Sequence, residues 1–295
     1  GVVNESILIS GTVVDCYGNA PSGSVVITVN GVNFTATINN DKTFKLYVNS
    51  NISGTWKNLN IKFITNNSSI WNDTIFNSTP VTVKVNNLDP IITINNPTIS
   101  TKVGTTAYLE GNIKDSTYGL PVSGSVYITV NGVRFNATVD AQGNFKIPIT
   151  MDVAGTYSKL PLNFVSADSH IWNNAVTNSS NYVKIAFVKL HTYIVPNYNT
   201  DNGYFEQYHG EDIILNFTVY DENNVTVKGG SIIIWMNGNP YRATVDSEGK
   251  ASINWTVLGN GLYNYVIDYE GYGNYYDSFD FFNINVKPIP TKIVI

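Results

Sequence analysis

Apolar and polar positions alternate along most of the chain, and the alternation recurs three times around the same kind of turn. Val25 to Ile38 (VVITVNGVNFTATI), Val126 to Val139 (VYITVNGVRFNATV) and Ile232 to Val245 (IIIWMNGNPYRATV) each set an Asn-Gly pair between two alternating runs. Both central residues of a type I′ turn need positive φ, which Asn and Gly supply, so each stretch predicts a tight β-hairpin. The period of two assigns faces. Val25, Ile27 and Val29 share one, matched by Val126, Ile128 and Val130 and by Ile232, Ile234 and Met236. Past the turn Phe34, Ala36 and Ile38 answer them, with Phe135, Ala137, Val139 and Tyr241, Ala243, Val245 as counterparts.

The repeat extends in both directions. Upstream, Ile9 to Asp15 matches Leu109 to Asp115 and Leu215 to Asp221, a strand ending in an Asp suited to an Asx-type turn. Downstream come a turn and strand at 39–46, 140–147 and 246–253, then strands opening at Gly54, Gly155 and Gly261. Ile70-Trp71-Asn72 and Ile171-Trp172-Asn173 lie in the next loop, with Gly273 to Tyr276 nearby in the third copy, and last strands run over 81–85, 183–187 and 281–286. Short strands at this spacing, with no helical period, predict an all-β protein: three tandem immunoglobulin-like β-sandwich domains, without the Cys-Trp-Cys signature of antibodies. The expected boundaries are 1–88, 89–189 and 190–289, joined closely enough to hold the domains in a rod, with 290–295 as a surplus strand.

The repeat is out of step at its ends. Domain two opens with Pro90 to Ile94 and domain three with Thr192 to Val195, both read as first strands, whereas Val3 to Gly11 already aligns with Val103 to Gly111. Domain one therefore lacks a first strand, and Pro290 to Ile295 resembles one with no domain after it. Two readings follow. In one, the chain belongs to a longer array whose boundaries fall one strand out of register. In the other, Thr291, Lys292, Ile293, Val294 and Ile295 of one copy complete an open edge of domain one in the next, around Val3, Ile7 and Ile9, building a head-to-tail homopolymer by donor-strand complementation.

A net charge of −5 and a charged fraction of 13% give no basis for binding nucleic acid or an anionic membrane surface. No apolar run reaches the length of a membrane span, and a single cysteine, Cys16, excludes an intrachain disulfide framework. His170, His191 and His209 are scattered without ligand spacing, and neither a nucleophile elbow nor a phosphate loop is present, so no enzyme, metal or cofactor is expected.

Asn-x-Ser/Thr sequons occur at Asn4, Asn33, Asn51, Asn66, Asn67, Asn72, Asn77, Asn136, Asn178, Asn216, Asn224 and Asn254. The alternation turns Asn33, Asn136, Asn216 and Asn254 outward, where a glycan could be carried, and this pattern fits an extracellular, cell-surface location. Domain three crowds aromatic residues between Tyr263 and Phe282. Tyr269, Tyr272, Tyr275 and Tyr276 form a candidate ligand patch for sugar faces, against the simpler reading that strand aromatics fill the core.

The segment Gly261 to Ser278, followed by an alternating strand and Pro-Ile-Pro-Thr, resembles the bacterial Ig-like repeats of archaeal, especially methanogen-type, adhesin-like surface proteins. The Asn-Gly hairpin and the Asp-x-x-Gly turn after it are similar too. The resemblance covers all three units, although the first two carry Ile-Trp-Asn in place of the Asn-Tyr segment. It implies cell-surface display and a sandwich fold, and it carries no catalytic residues. The expected function is a structural subunit of a cell-surface filament or stalk. The alternative is an adhesin fragment whose third domain recognises a glycan or a protein on a host or neighbouring cell.

Overall fold

The computed structural model describes residues 1–256 and 259–294, the side chains of 77–79 excepted. The first repeat contains β1 (Ile7–Thr12), β2 (Gly23–Val29), β3 (Val32–Thr37), β4 (Thr43–Val48), β5 (Gly54–Thr65) and β6 (Thr74–Val85). The second contains β7 (Pro90–Ile94), β8 (Thr98–Lys102), β9 (Ala107–Asp115), β10 (Gly124–Val130), β11 (Val133–Thr138), β12 (Asn144–Ile149), β13 (Gly155–Leu160), β14 (Leu162–Ser166), β15 (Ala175–Val176) and β16 (Val183–Val188). The third contains β17 (Thr192–Pro196), β18 (Phe205–Tyr208), β19 (Asp212–Asp221), β20 (Ser231–Met236), β21 (Asn239–Thr244), β22 (Lys250–Thr256), β23 (Gly261–Tyr269) and β24 (Ser278–Lys287). Apart from one short 3₁₀ turn at Ser179–Asn181, the regular structure of the described residues is β.

The three hairpins form as the alternation dictates. Asn30, Asn131 and Asn237 sit at φ near 50° and the glycines after them near 80°, as the I′ turn requires. Val25, Ile27 and Val29 are buried, as are their six counterparts. Each hairpin belongs to the larger sheet of its repeat, ordered β3-β2-β5-β6, β11-β10-β14-β15 and β18-β24-β23-β20-β21. A second sheet faces it, ordered β1-β4 in the first repeat, β12-β9-β7 in the second and β17-β19-β22 in the third. Two facing sheets with alternating inward residues make each repeat an immunoglobulin-like sandwich, and in the second repeat a further sheet, ordered β13-β16-β8, adds to them. Gly11 opposes Phe44 in the first repeat, whereas Phe217 opposes Ala251 in the third. One small and one large residue fill the same volume from opposite strands, which keeps the packing tight.

The alternation missed a set of parallel pairs. β8 runs parallel to β16 and β18 parallel to β24, and in the first repeat Val2 makes a parallel bridge to Asn86. By contacts the chain divides into two compact units, 1–97 with 108–148 and 159–183, and 98–107 with 149–158 and 184–295.

Candidate functional site: an unfilled strand position beside β1

The smaller sheets show where the repeats differ. β7 pairs with β9 along Pro90↔Asp115, Ile92↔Ile113 and Ile94↔Gly111, and β17 pairs with β19 along Thr192↔Asp221, Ile194↔Val219 and Pro196↔Phe217. These edge strands bury one residue each, Ile92 and Ile194, at 8% and 2% exposure. In the first repeat β1 pairs with β4 on one side, and no strand of the described residues lies on the other.

The consequence is visible in burial. Ala107, Leu109, Gly111 and Ile113 are buried in β9, and Ile213, Leu215, Phe217 and Val219 in β19, whereas their equivalents Ile7, Ile9, Gly11 and Val13 remain half-exposed. A groove of about 1240 Å³ runs alongside them, lined by Ile9, Val13, Phe44, Phe63, Trp71 and Phe76 among others. Its far wall is the start of β6, the counterpart of β15, against which β7 packs in the second repeat. A Cβ on Gly111 would overlap the Thr93 carbonyl of β7 and the Phe145 ring, while the nearest atoms to one on Gly11 belong to the Phe44 ring.

The groove ends at the Asx turn. Asp15 Oδ1 accepts from the Tyr17 and Asn19 amides, as Asp115 does from Thr117 and Tyr118 and Asp221 from Asn223 and Val225. The Asn19 amide, then those of Tyr17 and the Trp71 and Asn19 side chains, hold the Asp15 carboxyl below the usual carboxylate range against a smaller desolvation effect. The next amide is used in both other repeats: Ser116 N–H donates to Asp89 O (2.8 Å) and Glu222 N–H to His191 O (2.9 Å). Cys16 occupies that position in the first repeat.

Among the expected edge residues, Ile7 and Ile9 lie on β1. Val3 does not. It is fully buried, and its N–H donates to Asn86 O, so it belongs to the parallel pairing rather than to the open edge. Thr291, Lys292, Ile293 and Val294 form no strand, and Ile293 and Val294 are 88% and 83% exposed, while Ile295 lies outside the described residues.

The candidate tyrosine patch does not form a single exposed row. Tyr269 is buried in the core of the third repeat, where burial pushes its phenol up to about 12 and its hydroxyl donates to Gly229 O. Tyr275 packs on the same core, Tyr276 stacks on His191, and Tyr272 is exposed. The sequons Asn4, Asn33, Asn51, Asn66, Asn67, Asn72, Asn136, Asn178, Asn216, Asn224 and Asn254 are all exposed, and the Asn77 side chain lies outside the described set. Among the described residues no cluster of His, Cys, Asp or Glu could hold a metal, and no helix is long and apolar enough to cross a membrane.

No protein-family model matches the chain, and no curated protein sequence matches it. Solved structures similar to it include a Ca²⁺-stabilised adhesin that helps an Antarctic bacterium reach out and bind ice, at 17% identity and TM-score 0.33, covering 97% of this chain and 70% of that one. Another is a 1.5-MDa bacterial ice-binding adhesin at 13% identity and TM-score 0.32, with 96% and 91% covered. An I-band fragment from titin has 12% identity and TM-score 0.39, with 98% and 94% covered. At these scores the assignment of the chain as tandem immunoglobulin-like sandwiches rests on its own strand pairing.

Proposed function

We propose that this chain is an extracellular structural subunit that assembles head to tail by donor-strand complementation, residues 291–295 of one copy lying beside β1 of the next. The observation that carries the reading is the unfilled position beside β1, matched by a segment with the pattern of the strands that fill it elsewhere. Aligned through Val85, Phe187 and Val286, all buried at the end of their repeats, Ile293 falls in the column of Ile92 and Ile194. The register then places Thr291 opposite Asp15, Lys292 opposite Val14, Ile293 opposite Val13 and Val294 opposite Thr12. Lys292 faces outward in that register, like Ile91 and Tyr193, which are exposed. Pairing would satisfy the free amides and carbonyls of β1 and cover the apolar groove, which removes the hazard of an open edge.

The exposed sequons support display outside the cell with N-linked glycans, and intact mass of natively purified material equal to that of the polypeptide would reject the glycans. The archaeal surface-protein resemblance of the third repeat fits the same setting.

The test compares the full chain with a version lacking Pro290 to Ile295, by sedimentation velocity and negative-stain microscopy. Filaments from the first and monomers from the second are expected. Monomers from both would overturn assembly and favour a binding module, for which the exposed Phe279, Phe281 and Tyr272 of the third repeat are the candidate contact residues.

A further inference from the structure

Within the chain, each passage from one repeat to the next is held by a backbone clamp. Leu88 bridges Trp172 in parallel: Leu88 N–H donates to Ile171 O (2.8 Å) and Leu88 O accepts from Asn173 N–H (3.0 Å). Leu190 bridges Tyr275 in the same way, donating to Asn274 O (2.8 Å) and accepting from Tyr276 N–H (2.9 Å). Side chains reinforce both. Asn173 donates to Asp89 and Asn87 to Ser169 O at the first passage, and Asn274 Nδ2 donates to Asp152 O at the second. Ile171 and Trp172 also pack on the core of the first repeat, and Leu88 is itself 4% exposed.

The first repeat carries the same loop, Ile70-Trp71-Asn72, built the same way. Ile70 and Trp71 N–H groups donate to Asn67 O, as those of Ile171 and Trp172 donate to Asp168 O. Yet Ile70 is 62% exposed, and nothing among the described residues bridges Trp71. Later in the chain, after β24, Ile289 stands in the column of Leu88 and Leu190 and is 60% exposed.

We infer that Ile289 of one copy is clamped by the Ile70-Trp71-Asn72 loop of the next, donating its N–H to Ile70 O and accepting from Asn72 N–H. This rests on the donor-strand reading and adds a second contact to it. The prolines of Lys287-Pro288-Ile289-Pro290 fit the clamp. Pro288 and Pro290 stand where Asn87 and Lys189, and Asp89 and His191, have backbone N–H groups that donate to no backbone carbonyl among the described residues. Ile289 between them keeps the one N–H that the clamp uses, and two fixed φ angles hold it extended before it docks. Cys16 N–H then donates to Pro290 O, as Ser116 and Glu222 donate to Asp89 and His191. A copy joined this way has its orientation fixed at two separate places.

The test introduces a photoreactive benzophenone side chain into the full chain, in place of Trp71 in one sample and of Val14 in another, and maps intermolecular crosslinks by mass spectrometry. Position 71 is expected to capture 287–290 and position 14 to capture 291–293. Capture from position 14 without capture from 71 overturns the clamp and leaves strand insertion standing; capture from neither removes strand insertion as well. Ile70→Asp, at a residue exposed in the single chain, supplies a second readout. It is expected to raise the concentration for half-assembly about tenfold, and an unchanged value would overturn the clamp.

Discussion

Ile293 gives the donor-strand reading its sharpest quantitative test. In the single chain its side chain is 88% exposed, and in the inserted register it takes the place of Ile194 at 2% or Ile92 at 8%. Fully burying an isoleucine side chain is worth about 1.5–3 kcal/mol. Replacing it by alanine therefore forfeits about 2 kcal/mol, or roughly 30-fold in Kd. The assay titrates a peptide of residues 288–295 into the chain lacking 290–295 by isothermal calorimetry, where buried apolar surface adds a negative heat-capacity change. Saturable one-to-one binding is expected, weakened about 30-fold by Ile293→Ala in the peptide and by no more than about threefold by Lys292→Ala, whose side chain faces water. Absence of binding, or equal losses from both peptides, would refute the reasoning, because a strand seated in this register cannot be indifferent to its inward residue.

Other consequences are as direct. Gly111→Ala should destabilise the second repeat by about 1–3 kcal/mol by overpacking, since its Cβ overlaps the Thr93 carbonyl and the Phe145 ring, and Gly11→Ala, whose Cβ comes within 2.8 Å of the buried Phe44 ring, should lower the thermal stability of the first repeat in the single chain as well. Asn72 lies at the clamp, where its counterpart Asn173 is occupied with Asp89 and Asn87, so glycopeptide mapping of assembled material should find Asn72 unglycosylated while exposed sequons such as Asn136 carry glycan. Glu206 is held below the usual carboxylate range first by Lys287 and then by Asn285, and Lys287 is held above its ordinary value by Glu206. A depressed carboxylate contributes stability that is present above the unfolded pKa near 4.5 and lost as pH falls through the folded one. The third repeat should thus lose stability on acidification below about pH 4.5, and Glu206→Gln should flatten that part of the pH–melting curve. The raised ammonium of Lys287 acts in the opposite sense, its share being lost only as pH climbs past its own elevated pKa.

The hairpins were legible because Asn-Gly fixes both turn and register, and the alternation then leaves one choice of face. The difference between the first repeat and the other two comes from a related comparison: three copies of one pattern set side by side expose an irregularity that one copy could not. The parallel pairs were not. β8 reads Thr-Ile-Ser-Thr-Lys, with no strong alternation, and its partner lies far along the chain, so only the folded topology brings them together. Val3 was misplaced for the same cause, since its partner Asn86 is remote. Tyr269 shows the limit of reading aromatics by density. It shares the strand parity of Ile267 and the inward Tyr265, and that parity decides its burial more firmly than the crowd of rings around it. The Ile-Trp-Asn loop was visible as a motif, but its role depends on a main-chain bridge that has no sequence signature.

The parallel pairing of β8 with β16 and of β18 with β24 carries a mechanical consequence. Each pair joins the strand near the entrance of a repeat to the strand at its exit, so pulling on the two ends slides the strands lengthwise past each other. The evenly spaced hydrogen bonds of a parallel ladder then bear load together instead of opening one at a time. A strand inserted beside β1 would be drawn along its own axis in the same manner. Tension on such an assembly meets bonds in shear at every joint, and its lifetime under pull is governed by unfolding rate rather than by equilibrium stability.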